Sequence, residues 1–230
     1  MKVSLGATGR QVGAWAGVIG PVLFTATFTI EGWLRPGYDP RSMFVSALSL
    51  GPRGGIQITN FIIGGALIAL FAHGLAPEFN NGKAWRLGPT LLSIIGFSLL
   101  ASGPFVMDPV TVPFMAMTWH SYLHYAFGIL VFTLAPISCF VFFGRFRTDG
   151  RWQWLQWWTL AAGLIMTASV AALKAAMLPG PLHPYVGMVQ RVALIDYLAW
   201  LECLALAVAL KRRSRALWVR NPSRDSTVRF

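Results

Sequence analysis

Charge is what this chain has least of: eight Asp and Glu and 19 Lys and Arg leave only 12% of its 230 residues charged. A soluble domain carries about twice that share, so the deficit points to lipid as solvent. Cysteine is nearly absent. Cys139 and Cys203 both lie inside apolar stretches, a placement that suits buried, inert thiols and says nothing of redox compartment. The motifs that announce chemistry are missing as well. The sequence contains no G-x-S-x-G elbow, no P-loop, no G-x-G-x-x-G, no CxxC and no haem-attachment sequence. It shows no internal repeat, no low-complexity segment and no linker, and no inverted repeat of the transporter kind.

What is present is apolar. Hydrophobic residues make up 55% of the chain, and the mean hydropathy is +0.57. They fall into blocks of roughly 20, each bounded by Pro, Gly or charge, the length that crosses about 30 Å of hydrocarbon. The pattern predicts an all-α, polytopic bundle with transmembrane helices near 12–32, 56–76, 87–107, 116–143, 155–178 and 187–210. Together they form a single membrane domain over residues 1–230. The fourth block exceeds what a bilayer needs, so tilt or protrusion is expected. The first, from Val12 to Ile30, is too long for a signal-peptide core and lacks an A-x-A site, so it is read as a retained span.

Pro21, Pro104 and Pro136 sit in or near span interiors, where neighbouring helices satisfy the backbone groups they free. Gly64 and Gly65, and Ala161, Ala162 and Gly163, suit close helix packing. Trp33, Trp85, Trp119, Trp152, Trp154 and Trp158 lie near span ends, as interfacial aromatics do.

Lys and Arg set the orientation. One side holds 14 of them: Lys2, Arg10, Lys83, Arg86, Arg145, Arg147, Arg151 and seven in the C-terminal tail. The other holds five: Arg35, Arg41, Arg53, Lys174 and Arg191. The positive-inside rule therefore places both termini in the cytoplasm of a cell-membrane protein, the inner membrane if the source is bacterial. The net charge of +11 sits between the apolar blocks and in the basic tail 211–230. That distribution favours the bilayer and its anionic headgroups as partners over nucleic acid.

This topology gathers the unusual polar residues at the outer face: Arg35, Tyr38 and Asp39 after the first span, Asp108 after the third, His120 and His124 at the start of the fourth, Lys174 near the end of the fifth, and His183, Gln190 and Arg191 at the start of the sixth. Asp196 lies somewhat deeper, and an ion pair with Lys174 is the first pairing expected of it. His120 and His124 share one helix face, as two ligands of one metal do, with Asp108 or His183 as a third. Asp108, His120 and His124 are thus candidate metal ligands or acid/base groups. Arg35, Tyr38, Asp39, Lys174, Gln190, Arg191 and Asp196 are candidate ligand-binding groups. Ser46 and Ser49, in the first outer loop, are candidate nucleophiles for His124, although no spacing argues for the pairing. No cofactor is specified. The same residues read equally well as a structural network tying the outer helix ends together.

One group of motifs carries a resemblance. Gly20-Pro21, Arg35-Pro36-Gly37-Tyr38-Asp39-Pro40, Val45-Ser46-Ala47-Leu48, Gly51-Pro52-Arg53-Gly54, Gln57-Ile58-Thr59-Asn60-Phe61, Phe105-Val106-Met107-Asp108-Pro109, Thr118-Trp119-His120-Ser121-Tyr122-Leu123-His124 and Gly187-Met188-Val189-Gln190-Arg191 resemble the family catalogued as domain of unknown function 998. Its members are six-span, mostly bacterial membrane proteins. Ser121 departs from the Gly expected there. The resemblance implies the fold and supplies no activity. Three functions follow as expectations: binding a small molecule or lipid in an outer polar pocket, membrane-embedded catalysis on a hydrophobic metabolite, and an accessory role with no chemistry.

Overall fold

The computed structural model of the chain describes residues 7–79 and 86–220, with side chains as far as Lys211. Six long helices account for most of it: α1 Ala7–Leu34, α2 Gly54–Leu75, α3 Leu87–Ala101, α4 Trp119–Thr148, α5 Gln156–Ala176 and α6 Val186–Arg220. There is no strand among the described residues. Each helix packs on the next, and α6 returns to α1, so the six close a ring in sequence order. Neighbours run antiparallel. Gly13 of α1 meets Gly74 of α2, whereas Phe24, later in α1, meets Gly64, earlier in α2. The ends joined by the loops after α1, α3 and α5 form what is called here the outer end.

Five of the helical segments are long and apolar enough to cross a membrane. The exception is α3. Its 15 residues cover about 22 Å at 1.5 Å per residue, short of the hydrocarbon core. The expected third span, 87–107, therefore ends six residues early. Apolar composition continues through Phe105-Val106-Met107, but Gly103-Pro104 cannot continue the helix, and the chain turns at Ser102. At the other extreme α6 has 35 residues, about 52 Å, so it outruns the bilayer. Of the basic tail 211–230, residues 221–230 lie outside the described residues, as does Trp85.

Between apolar helices in lipid, packing rather than water exclusion supplies the attraction. Close approach needs small residues, and a Cβ on Gly96 of α3 would lie 2.6 Å from the Ala69 nitrogen of α2. Gly163 of α5 likewise sits against Cys139 and Phe140 of α4. The inner half of the ring is filled by rings: Phe79, Phe142, Phe146, Trp152 and Trp200 are all buried. Phe142 packs 5.6 Å from both Phe79 and Trp200. Trp152, expected at the interface, belongs to this cluster, with the Lys211 ammonium 4.3 Å above its ring. Trp33, Trp119 and Trp154 are exposed near helix ends, as expected.

Candidate functional site

The outer half is built differently. Between α1 and α2 the chain folds into a roof over the ring. Arg35-Pro36-Gly37-Tyr38 forms a turn with Gly37 at φ 74°, a left-handed position that glycine takes without penalty after proline. A short 3-10 turn, Val45–Ser49, follows and is buried throughout. Arg35 donates to the carbonyls of Ala47, at 3.0 Å, and Leu50. Glu31 at the end of α1 holds Arg53 through two contacts of 3.0 and 2.5 Å.

Arg191 of α6 fastens the roof to the bundle. Its guanidinium donates to the carbonyls of Pro40 (2.7 Å), Met43 (3.0 Å) and Gly187 (3.0 Å) and to the Tyr38 hydroxyl. Tyr38 in turn donates to the Phe44 carbonyl at 2.9 Å. Burial pushes the Tyr38 phenol above its ordinary value, against the pull of the Arg191 charge. Asp39 caps its own turn, accepting from the Arg41 amide and the Ser42 hydroxyl, contacts that hold its carboxyl below the usual range. Arg35, Tyr38, Asp39 and Arg191, expected to bind a ligand, are thus engaged in building the roof.

The early end of α3 creates the second feature. A broken helix at membrane depth leaves carbonyls without partners unless protein supplies them. His124 of α4 supplies them: its Nδ1 lies 3.1 Å from the Ser102 carbonyl and 2.8 Å from that of Phe105. Carbonyl oxygens only accept, so Nδ1 carries a proton, and in the neutral imidazole Nε2 then keeps its lone pair. Asp108 accepts from the Thr118 amide (2.6 Å) and hydroxyl (3.1 Å), closing the loop before α4. Thr118 is also the helix's N-cap. Ser121, where the family resemblance led us to expect Gly, is fully buried and accepts from the Asp108 amide at 3.1 Å.

Roof and break together border a half-open cavity of about 360 Å3, with Ile129 and Met177 at its exposed edge. Phe44, Val45 and Ser46 border it above, Phe61, Leu99, Ser102 and Met107 line one side, and α4, α5 with Met177 just beyond it, and α6 supply the rest. Most of the wall is apolar, in place of the polar pocket expected. Among the lining side chains are three of the expected site residues: His124, Lys174 and Gln190. Ser46, Ser102, Tyr125 and Thr133 are the other polar ones, a set that sequence reading missed apart from Ser46. Gln190 accepts the Val45 amide at 2.7 Å, which locks the roof to α6 beside the cavity.

The remaining candidates lie elsewhere. His120 is exposed, its ring 3.7 Å from that of Trp119. His183 is exposed and bonded to the Ala176 carbonyl at 3.0 Å. Among the described residues no three His, Cys, Asp or Glu side chains are grouped to hold a metal ion, so His120, His124 and Asp108 are not brought together as a ligand set. Asp196 does not line the cavity. It forms no ion pair with Lys174, and its Oδ2 is buried with no hydrogen-bond partner among the described residues. Depth is the reason: Asp196 is ten residues, about 15 Å, below the start of α6, whereas Lys174 is two residues from the end of α5.

A family model described as "Protein of unknown function (DUF998)" matches residues 18–207, and the chain belongs to that family. No curated protein and no solved structure matches it.

Proposed function

We propose that this member of the family holds a hydrophobic or amphipathic small molecule of lipid type in the cavity beneath its roof. One observation carries the reading: about 360 Å3 lies among apolar side chains in the outer half, while rings fill the inner half. The space opens at its side past the exposed Ile129 and Met177, which gives an apolar chain a way in from the bilayer. It falls near the low end of the roughly 300–1,000 Å3 of ligand pockets, which suits one chain or a small ring system better than a whole two-chain lipid. The polar groups collect at one end of the bundle, which favours a one-sided site over a transport path.

We place the protein in the cell membrane with the cavity end outside and the basic tail against anionic inner headgroups, on the strength of the Lys and Arg asymmetry. Gly128 offers the test. It lines the cavity, and a Cβ there would meet nothing within 4 Å, so the side chain of Gly128→Phe starts in open space and narrows the cavity. Long-chain lipids should raise the melting temperature of the wild type and leave that of Gly128→Phe unchanged. An equal rise in both would overturn the assignment.

One observation favours a second reading. Ser46 lines the same cavity as His124, whose Nε2 is free to take a hydroxyl proton, an arrangement that suits acyl transfer on a lipid. Labelling of Ser46 by a fluorophosphonate, lost in His124→Ala, would favour it over simple binding.

A further inference from the structure

The reading above leaves the ligand's polar end unspecified, and the few polar atoms of the cavity constrain it. Lys174, exposed and two residues before the end of α5, lines the wall and forms no ion pair among the described residues. Gln190 is 9% exposed and spends its carbonyl oxygen on the Val45 amide, leaving its NH2 without a partner among the described residues. His124 is 7% exposed and spends Nδ1 on the two carbonyls of the α3 break, leaving Nε2 as an acceptor. Among the described residues no Asp or Glu lines the space. Apart from the hydroxyls of Ser46, Ser102, Tyr125 and Thr133, the inventory is one cation, one amide donor and one nitrogen acceptor at the rim of a mostly apolar chamber.

Each ligand class meets this inventory differently. A cationic head would face the Lys174 charge with nothing to offset it. A neutral head would leave Lys174, which is exposed near the outer end of α5, to water or a headgroup and gain nothing from its charge. An oxyanion satisfies Lys174 and the Gln190 amide together through charge-assisted hydrogen bonds. The chamber then runs inward along α4 from Tyr125 to Thr133, about 12 Å at 1.5 Å per residue. Leu99, Val131, Phe132, Val170 and Leu194 surround this part. None of these side chains has a polar atom, and a hydrocarbon chain is the matching shape.

We propose that the cavity takes a single-chain lipid with an oxyanion head, a carboxylate or a phosphate monoester, the head at Lys174 and Gln190 and the chain directed inward along α4. This rests on the lipid-binding reading and adds the sign of the head. The His124 Nε2 lone pair accepts an O–H, which a phosphate monoester monoanion carries and a carboxylate does not.

The test is competition photolabelling of the full chain in phosphatidylcholine nanodiscs with a diazirine-bearing fatty acid. The unlabelled competitors have one chain length: fatty acid, lysophosphatidate, fatty alcohol and alkyl trimethylammonium. The two anions should compete, the alcohol about tenfold more weakly, as expected for loss of one charge-assisted contact, and the ammonium more weakly still. Lys174→Met should reduce the fatty acid to the level of the alcohol, and Lys174→Arg should keep the preference. Stronger competition by lysophosphatidate than by fatty acid assigns a phosphate head with His124 as acceptor, and the reverse order assigns a carboxylate. Equal competition by acid and alcohol, or a Lys174→Met protein that still prefers the acid, would overturn the proposal. If labelling is still lost in Gly128→Phe, that failure leaves the lipid-binding reading standing. A wild type that is not labelled at all overturns both.

Discussion

The Nδ1 of His124 lies 2.8 Å from the carbonyl oxygen of Phe105, so a side chain of α4 stands in for the helix that α3 no longer provides. This contact and its partner at Ser102 allow irregular backbone at membrane depth, and irregular backbone is what leaves room for the cavity.

His124→Phe keeps the ring and removes the donor. With buried carbonyls left unsatisfied, the loss is about 1–3 kcal/mol, or several degrees of melting temperature for a chain of this size. Thermal unfolding followed by tryptophan fluorescence in detergent should show the drop. His120→Phe, at an exposed ring with no side-chain hydrogen bond among the described residues, should leave the melting temperature within about a degree.

Arg191 and Tyr38 should differ in weight. Arg191→Met strips the carbonyls of Pro40, Met43 and Gly187 of their donor at once, whereas Tyr38→Phe removes a single hydroxyl. Proteolysis at the exposed Arg41 should accelerate strongly in the first variant and mildly in the second. Arg191→Lys should not restore protection, because an ammonium cannot reproduce the planar fork that reaches several carbonyls.

At the opposite end, Asp149 accepts from Arg151 (2.6 and 2.9 Å), and that contact, with the Arg151 amide and the nearby Arg145, holds its carboxyl down to about 2 from an ordinary 3.8. A carboxyl lowered by folding contributes stability that is whole above 3.8 and fades as the pH falls toward 2. Melting temperature plotted from pH 6 to pH 2 should therefore fall less steeply below pH 4 in Asp149→Asn than in the wild type.

The orientation is open to a labelling check. With Cys139 and Cys203 replaced by Ala, single cysteines at the exposed positions 42 and 148 should behave oppositely in intact cells. A membrane-impermeant maleimide should label Ser42→Cys and spare Thr148→Cys.

Much of this architecture is legible in the amino-acid order, because helix length and Lys/Arg placement are local properties. Five of the six expected spans agree with the helices to within a few residues at their outer boundaries, and the third ends early for a local reason: composition carries on through Phe105-Val106-Met107 while Gly103-Pro104 ends the helix. The division of labour among the polar residues was not legible. Arg191 and Arg35 are bound by backbone carbonyls, which no side-chain pattern reveals, and Pro40 is 151 residues from Arg191. Lys174 and Asp196 looked like partners until the register of α5 and α6 set them at different depths. The apolar wall of the cavity is invisible in a sequence where nearly every span residue is apolar.

The central claim is that the cavity is occupied. Native mass spectrometry of the protein released from membranes, wild type beside Gly128→Phe, tests it most directly. The account predicts a bound species of single-chain lipid mass on the wild type and its loss from the variant, with both proteins folded. A wild type that carries no such species, or a variant that carries it equally, would contradict the account.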